Sequence, residues 1–336
     1  MKIAVINAGS SSIKFKLFCM KTKTIIASEL IESNEKDDIK KIFEKYGEFD
    51  MVGHRVVHGG ERFQKSVLID DEVIKTITSL IPLAPLHNPA NLEGIKIVKE
   101  LYPNIPQVAV FDTAFHSTMP KEAYIYALNY DMYEKHHIRR YGFHGSSHSY
   151  ITKMASKELN IKKDKLNIIS LHLGNGASIC AIKDGKSIDT SMGFTPLEGL
   201  VMGSRCGDID PAIVLYIQRE LGMSLDEVDK QLNKKSGLLG LCGESDLREI
   251  LASSDEKAKL AEDIMIRRCK KYIGSYMALL DRVDAITFTG GIGENSKEIR
   301  EKILDANLFK NLKTLVIKTD EELEIALESL KLCKKS

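Results

Sequence analysis

Several common features are missing from this sequence, and each absence narrows what the protein can be. No apolar run approaches the roughly 18 residues that a transmembrane helix needs, so we expect no membrane span. Basic and acidic residues nearly balance, at 48 Lys and Arg against 47 Asp and Glu, so neither nucleic acid nor an anionic membrane is expected as a partner. The first residues lack the uninterrupted apolar segment of a signal peptide, and we therefore expect a cytoplasmic protein.

Cysteine and linker patterns are also missing. The six cysteines are scattered, and none forms a Cys-x-x-Cys pair, which argues against a zinc site and is typical of a protein kept reduced. No low-complexity segment or long linker separates independent modules. A chain of 336 residues is nevertheless long enough for two domains of ordinary size.

What the sequence does contain is a strand–turn–strand pattern at its start. Two apolar-rich runs flank residues 7–12, which read Asn-Ala-Gly-Ser-Ser-Ser, and this pattern predicts a β-hairpin. The turn offers backbone N–H groups and hydroxyls, including those of Ser10 and Ser12, close to the positive charge of Lys14. That combination suits a phosphate, although the Walker A spacing is missing. An ordinary polar hairpin is the alternative.

Similar units recur halfway along the chain and near its end. The β-rich run 167–173 leads into the small-residue turn 174–178, and the run 285–289 leads into the glycine-rich residues 290–295. Ligands in α/β proteins bind where strands end. Three such turns in this order therefore predict two related domains with a nucleotide between them.

One arginine lies in a predicted strand. In the strand predicted over residues 51–58, the period of two places Arg55 and Val57 on the same face. A guanidinium beside a small apolar side chain suits an anionic head with a short alkyl tail. An edge strand with an exposed arginine is the alternative.

Three further polar residues come in settings that favour a ligand. Asp112 ends a buried-looking strand, where it either meets a ligand or caps the next turn. His144 lies in a glycine-flanked turn, in which a structural histidine is the alternative. Arg205 lies between two glycines on a tight loop, an unusual setting for a surface arginine.

Two patterns near the C-terminal end predict helix starts. Ser253-x-x-Glu256 and Thr319-x-x-Glu322 both have the spacing of an N-terminal capping box. Apolar residues follow each box at helical spacing. We therefore expect a long helix after the first and a shorter one after the second.

Together and in this order, these motifs resemble those of the acetate kinase family, in the superfamily of acetate and sugar kinases, heat-shock chaperones and actin. The resemblance runs almost end to end and is carried by residues 5–15, 53–60, 111–116, 141–145, 172–176, 195–211 and 291–295. It implies an α/β fold of two duplicated ribonuclease-H-like (actin-like ATPase) domains with an interdomain nucleotide cleft. The domains would comprise residues 1–115 and 116–320, and a C-terminal helix over 321–336 would pack on the first.

The resemblance also implies a site, position by position. Phosphoryl transfer would involve Asn7, Arg55, Asp112, His144 and Arg205, and the acid would contact Arg55, Val57, Leu86, Phe143 and Pro196. ATP or ADP would be bound by Ser10, Ser12, Lys14, His172, Leu173, Gly174, Asn175, Gly176, Asp246, Leu247, Arg248, Gly291, Ile292, Gly293, Glu294 and Asn295. Mg²⁺, or Mn²⁺ in its place, would be held by Asn7 and Glu321. For Glu321, a favourable charge in the first turn of a helix is the alternative.

The implied activity is reversible transfer of the γ-phosphoryl group of ATP to acetate, giving acetyl phosphate and ADP, by a cytoplasmic homodimer. A propionate or butyrate kinase would differ only in pocket volume. A nucleotide-dependent clamp or chaperone would need a separate substrate domain, for which no residues remain. A shortened relative with impaired activity is a further alternative, because the chain is shorter than typical members within residues 15–51 and 295–315.

Overall fold

Eleven strands and fourteen α-helices lie in the residues that the computed structural model describes, which are 1–8, 12–32, 36–85 and 87–333. The strands are β1 (Lys2–Ala8), β2 (Ile13–Cys19), β3 (Thr24–Ile31), β4 (Met51–Val56), β5 (Val67–Leu68), β6 (Gln107–Phe111), β7 (Ile168–Leu173), β8 (Ala177–Lys183), β9 (Lys186–Thr190), β10 (Ala285–Thr289) and β11 (Thr314–Val316). The α-helices are α1 (Lys36–Tyr46), α2 (Asp71–Ser79), α3 (Asn88–Leu101), α4 (Lys121–Tyr124), α5 (Tyr130–Glu134), α6 (Gly145–Leu159), α7 (Pro211–Glu220), α8 (Leu225–Lys234), α9 (Gly237–Cys242), α10 (Leu247–Ala252), α11 (Glu256–Leu279), α12 (Gly290–Asn295), α13 (Lys297–Leu304) and α14 (Glu321–Cys333). No helix of this described part is long and apolar enough to cross a membrane.

The chain divides into two units. Unit 1 consists of residues 1–117, 143–150 and 320–336, and unit 2 of residues 118–142 and 151–319. The division differs from the predicted domains chiefly at residues 143–150, which group with unit 1 although the sequence assigned them to the second domain. The predicted domain boundaries remain a prediction.

The sheet of unit 1 has six strands in the order β3-β2-β1-β4-β6-β5. The predicted first hairpin is present, with β1 antiparallel to β2 and Ala8 opposite Ile13. On its other side β1 runs parallel to β4, and β4 runs parallel to β6. The carboxyl ends of β1, β4 and β6 therefore meet at one edge of the sheet, which is where α/β sheets bind ligands.

The sheet of unit 2 has five strands in the order β11-β10-β7-β8-β9. Here β7, β8 and β9 are successively antiparallel, while β7, β10 and β11 are parallel. Strand for strand, this is the arrangement of β1, β2, β3, β4 and β6 in unit 1. The predicted duplication of an α/β domain is thus seen directly in the topology, and β5 is an addition at the edge of the first sheet.

The sheet of unit 1 is covered on both faces because β1 alternates between two cores. Ala4 and Ile6 belong to a cluster with Phe15 and Phe43, whereas Ile3 and Val5 belong to a cluster with α14. Helix α14 approaches β4 very closely. A Cβ atom built on Gly53 would lie 2.7 Å from Oγ of Ser329 and 2.8 Å from Cγ2 of Ile325. This contact fixes where α14 begins relative to the sheet edge.

Both predicted capping boxes are wrong in detail. Helix α14 starts at Glu321, and Asp320 caps it by accepting the N–H of Leu323 at 3.1 Å. Helix α11 likewise starts at Glu256, and Asp255 accepts the N–H of Lys257 at 2.9 Å. In each case an aspartate closer to the first turn takes the capping position, where its short side chain reaches the free N–H groups.

Candidate active site

Arg55 and Asp112 form an ion pair at the carboxyl ends of two neighbouring parallel strands. Arg55 is the penultimate residue of β4 and Asp112 directly follows β6. Nε and Nη2 of Arg55 both donate to Oδ2 of Asp112, at 2.8 and 2.5 Å. Asp112 is fully buried, and its Oδ1 accepts from the hydroxyl of Ser146 at 3.1 Å. Both carboxylate oxygens are therefore engaged: Oδ2 holds the guanidinium, and Ser146 holds the carboxylate through Oδ1.

Asn7 extends this polar network from Arg55 to α14. Nη1 of Arg55 donates to Oδ1 of Asn7 at 3.3 Å, and Nδ2 of Asn7 donates to Oε1 of Glu322 at 3.0 Å. Lys16 pairs with Oε2 of Glu322 at 2.8 Å and with Asp320 at 3.2 Å. Burial alone would raise the pKa of Glu322, but the hydrogen bond and charge of Lys16 reverse this, and the pKa is lowered. Glu322 is therefore ionised and fixes the orientation of the Asn7 amide.

The charge on Arg55 is secured by the same surroundings. Burial would lower the pKa of Arg55, but the negative charge of Asp112, followed by that of Glu321, outweighs this effect. The pKa of the guanidinium therefore stays above its ordinary value. Arg55 is a permanent positive charge with donor groups at the edge of the sheet.

Glu321 lies beside this network and is not neutralised by it. Its side chain is half-buried, and it has no hydrogen-bond or ion-pair partner among the described residues. Burial raises the pKa of Glu321 to about 7, with Arg55 and Lys14 opposing the shift and Asp112 and Glu322 reinforcing it. A partly buried carboxyl group without a cation partner is suited to receive a cation from outside the protein.

His144 has a strained backbone beside Asp112. Its φ of 56° lies in the left-handed region, which residues with a side chain adopt rarely. The N–H of Gly145 donates to the backbone oxygen of Asp112 at 3.0 Å, and a Cβ there would lie 2.0 Å from that oxygen. The carbonyl of Phe143 lies 2.9 Å from Nε2 of His116. The predicted pair Phe143 and His144 is thus fixed by the residues on either side.

Three of the remaining predicted residues of unit 1 can be placed in the structure, and two cannot. Val57 is buried, one residue beyond the end of β4. Ser12 is half-buried just before β2, and Lys14 is exposed on β2. Ser10 and Leu86 lie outside the described residues.

Unit 2 contains a cavity of about 650 Å³ at the ends of β7 and β10. Eight residues predicted to bind nucleotide line it: Gly174, Asn175, Asp246, Leu247, Arg248, Gly291, Ile292 and Asn295. Sequence reasoning missed three more lining residues, Ser245, Leu251 and Ser296, whose small or apolar side chains carry no distinctive motif. The volume is in the range of small-molecule sites.

Other predicted nucleotide residues of unit 2 do not line the cavity. Oε1 of Glu294 accepts from the hydroxyl of Thr289 and from the N–H groups of Gly290 and Thr319, at 3.2, 3.0 and 2.9 Å. His172, Leu173, Gly176 and Gly293 are likewise absent from the lining. Glu294 therefore holds the turn between β10 and α12 in this structure.

Arg205 lies on a loop of unit 2 together with Pro196. Nη1 of Arg205 donates to the carbonyl oxygen of Pro196 at 3.1 Å and lies 3.7 Å from Sδ of Met202. Burial lowers the pKa of Arg205, and no carboxylate among the described residues pairs with it. Gly203 permits the loop to approach Asn175, because a Cβ there would lie 1.8 Å from Oδ1 of Asn175. Arg205 is thus a guanidinium whose charge no carboxylate in the described residues balances.

Sequence reasoning missed three members of the unit 1 network: Lys16, Ser146 and Glu322. Lys16 shares a strand face with Lys14, so the period of two offered a signal for it. The partner of Asn7, Glu322, is 315 positions away along the chain, and no local pattern predicts that contact.

Comparison with known proteins gives a consistent result. A sequence model of the acetokinase family matches residues 35–331. The chain is 52% identical to an acetate kinase of Sulfurimonas denitrificans, with 98% of each chain covered. That alignment spans 383 positions, more than the 336 residues present here, so parts of the relative have no counterpart in this chain.

Solved structures agree over the same length. A propionate kinase from Francisella tularensis is similar at a TM-score of 0.93 and 43% identity, covering 98% of this chain and 99% of that one. An acetate kinase from Porphyromonas gingivalis has a TM-score of 0.91 and 40% identity, covering 99% of both chains. With a family match over most of its length and relatives that align from end to end, the chain belongs to the acetokinase family.

Proposed function

We propose that the protein is an acetate kinase, which transfers the γ-phosphoryl group of ATP to acetate and runs in reverse from acetyl phosphate and ADP. An acetate oxygen forms a bond to the γ-phosphorus, the bond from that phosphorus to the β,γ-bridging oxygen breaks, and ADP leaves with the bridging oxygen. The observation that carries the proposal is the 52% identity to a curated acetate kinase over 98% of both chains. The geometry of unit 1 supports it independently.

The state of Asp112 favours a carboxylate as the phosphoryl acceptor. A carboxylic acid has a pKa of roughly 4–5, judged from Asp and Glu side chains, so the nucleophile is already ionised at neutral pH. A sugar hydroxyl would instead need a base to accept its proton. Asp112 is buried, and its two oxygens already accept from Arg55 and Ser146. We therefore assign to Asp112 the orientation of Arg55 and not the role of a base.

Charge stabilisation is the main task of the site, because phosphoryl transfer passes through a loose, in-line transition state. Arg55 and Arg205 supply permanent positive charge and planar donor forks, and His144 adds a further donor to the equatorial oxygens. Asn7, which Glu322 and Arg55 hold from both sides, orients the transferred group. Removing one such donor typically reduces kcat by about 10²–10³-fold.

The cavity of unit 2 is proposed to bind ATP and ADP. Gly174 and Gly291 let the backbone approach the phosphates, and Leu247 and Ile292 supply apolar surface for the base. Asp246, whose carboxylate also accepts from Arg248, is a candidate partner of the ribose hydroxyls.

A magnesium ion fits the residues around Glu321. Mg²⁺ commonly binds through one or two carboxylates, water and substrate phosphates, so it does not require a cluster of three protein ligands; the described residues contain none. Glu321, for which the described residues show no hydrogen-bond or ion-pair partner, matches this need, and Asn7 is bound by the adjacent residue Glu322. When bound, Mg²⁺ or Mn²⁺ would neutralise charge on the ATP phosphates.

Val57 and Phe143, both buried in unit 1, are proposed as walls of the site for the acid's methyl group, with Leu86 and Pro196 completing it. Propionate is the second candidate substrate, because a propionate kinase is among the similar structures at a TM-score of 0.93. One methylene changes binding in an apolar pocket by only about 1–3 kcal/mol, so propionate should be a poorer substrate and not an excluded one.

A homodimer and a cytoplasmic location complete the proposal. Helix α7 of unit 2 exposes Ile213, Leu215 and Tyr216, which are 43%, 50% and 60% accessible. Adjacent exposed apolar side chains are typical of surfaces that a partner covers. Light scattering after gel filtration would show the mass of two chains, and a monomeric mass would contradict this part of the proposal.

The decisive experiment measures ADP release with acetate, propionate and butyrate, with and without Mg²⁺. We expect acetate to give the highest kcat/KM and chelation to abolish turnover. A preference for butyrate would leave only the carboxylate kinase assignment standing. If none of the three acids is turned over, the proposed function is contradicted.

A further inference from the structure

The segment that leaves β4 is held by side chains instead of by the sheet. Four consecutive backbone N–H groups, those of residues 57–60, each donate to a side-chain acceptor. In chain order the acceptors are Oδ1 of Asn91 at 3.0 Å, Oδ1 of Asn88 at 3.2 Å, Oγ1 of Thr113 at 3.1 Å and Nδ1 of His58 at 3.0 Å. A segment outside regular structure is rarely satisfied so completely by side chains, since most backbone hydrogen bonds are made to other backbone groups.

Asn91 differs from the other three acceptors because it joins two strand ends. Its Oδ1 accepts the N–H of Val57, and its Nδ2 donates to the carbonyl oxygen of Ala8 at 2.8 Å. Ala8 is the last residue of β1, directly after Asn7, whereas Val57 follows the end of β4. One carboxamide therefore joins the end of the strand that carries Asn7 to Val57, two residues after Arg55.

The amide of Asn91 is well suited to this task. It is 2% exposed and lies in the first turn of α3. It accepts one hydrogen bond through its oxygen and donates the other through its nitrogen. Water cannot replace these bonds readily at a buried position, so their loss leaves the Val57 N–H and the Ala8 carbonyl unsatisfied. Asn88 makes a similar pair of bonds, but both go to His58, so it holds only one segment.

We propose that Asn91 is a positioning residue for the acid-binding part of the site, and that it determines selectivity between acetate and longer acids by holding Val57 against the end of β1. The inference rests on the proposed function, in which Val57 contacts the acyl group. Asn91 acts through Val57 and Ala8 and does not touch the substrate. Displacing a wall of a small pocket by about 1 Å can change catalytic efficiency by roughly 10²-fold.

The test compares Asn91→Ala with a matched variant, Asn167→Ala. Asn167 is also buried and directly precedes β7 in unit 2. Its Oδ1 accepts one backbone hydrogen bond, from the N–H of Asp184 at 2.9 Å. Both variants lose a buried amide and should have a lower Tm. Only Asn91→Ala should raise the KM for acetate and shift the acetate-to-propionate ratio of kcat/KM, by about tenfold or more, with the KM for ATP nearly unchanged.

A second variant, Asn91→Asp, separates positioning from stability. When the introduced carboxyl group is protonated it can accept from Val57 and donate to Ala8, as the amide does. When it is ionised, it can only accept and repels the Ala8 carbonyl. The acetate-to-propionate ratio of this variant should therefore approach the parent value at low pH and depart from it as the pH rises, while the parent ratio stays flat.

Hydrogen exchange provides a readout that does not depend on activity. The amides of Val57 and its neighbours should be protected in the parent and in Asn167→Ala, and Val57 should lose protection in Asn91→Ala. Unchanged Val57 exchange, or equal kinetic effects of the two alanine variants, would overturn the positioning role. A parent without turnover of any acid would instead overturn the proposed function, and the exchange result would still decide whether Asn91 holds Val57.

Discussion

Arg55 donates two hydrogen bonds to a single oxygen of Asp112, and the second oxygen of that carboxylate is taken by another donor. The guanidinium is thus held along one edge, through Nε and Nη2, while Nη1 faces Asn7. A carboxylate in this role orients a charge instead of transferring a proton.

Asp112→Asn should lower kcat by roughly 10²-fold, because the neutral amide orients Arg55 less firmly. The Tm should also fall, because the partly buried Arg55 guanidinium loses its counter-charge. Steady-state kinetics and thermal unfolding measure both effects. Asp131→Asn, at an exposed site, is the control. Unchanged turnover together with a lower Tm would limit Asp112 to a structural role.

Arg205→Lys should keep the positive charge and yet lose about 10²–10³-fold in kcat, because an ammonium group cannot reproduce a planar fork. The Tm should change little, since no carboxylate among the described residues pairs with Arg205. Arg219→Lys on the exposed end of α7 is the matched control. Turnover like that of the parent would remove Arg205 from the transition state.

Glu321→Gln should raise the apparent KM for Mg²⁺–ATP and leave the fold intact. The helix start is preserved because Asp320 caps α14 and Glu322 keeps its contacts with Asn7 and Lys16. Titration of the rate with Mg²⁺ at fixed ATP measures the effect. If the Mg²⁺ dependence is unchanged and the Tm is lower, the role of Glu321 is instead to place a stabilising negative charge in the first turn of α14.

His54 should make the protein less stable in mild acid. Burial lowers the pKa of His54 to about 4, and the amide of Gln107 lies 2.8 Å from its Nε2. In the unfolded chain this imidazole binds a proton with a pKa near 6.5. The stability contributed by neutral His54 is therefore fully present above about pH 6.5 and falls, by up to about 3 kcal/mol, as the pH drops towards 4.

The measurement is Tm against pH for the parent, for His54→Gln and for the exposed control His136→Gln. His54→Gln should start from a lower Tm at pH 7 and lose less of it between pH 6.5 and 4.5. A slope equal to that of the parent would show that His54 is not the group responsible.

Gly53→Ala should be destabilised by about 1–3 kcal/mol, the usual cost of overpacking, because its Cβ would overlap Ser329 and Ile325. Gly274→Ala is the control: apart from the neighbouring backbone of its own helix, nothing lies within 4 Å of the added Cβ, and the site is inside α11, where alanine favours the helix. The first variant should lower the Tm and the second should raise it slightly. Equal shifts in Tm would mean that α14 moves to accommodate the added methyl group at little cost.

The sequence predicted two related domains because the first hairpin and the glycine-rich turns follow from short-range patterns. The pattern 7–12 between two alternating runs is local, and so are the glycine-rich turns that border the unit 2 cavity. The period of two was less reliable near Val57, since β4 ends at Val56 and regular alternation stops there.

Contacts between distant parts of the chain were beyond local reasoning. Glu322 fits a capping box on paper, but Lys16 and Asn7 bind its carboxylate, and a nearer aspartate caps the helix. The role of Asn91 is similarly visible only in the fold, where its amide joins the end of β1 to the residue after β4. A periodic pattern can place such a side chain on a face of a strand or helix, but it does not identify the distant partner.

Unit 1 is assembled from three separate pieces of the chain, and the last of them, α14, covers Ile3, Val5 and Met51 of the first strands. During synthesis, those strands must wait until residues 320–333 have left the ribosome before one face of their sheet can be covered. Unit 2 needs nothing beyond residue 319 and can be completed earlier. We therefore expect unit 2 to finish folding on the ribosome before unit 1, although unit 1 begins first. The early strands are then among the segments that chaperones would protect for longest.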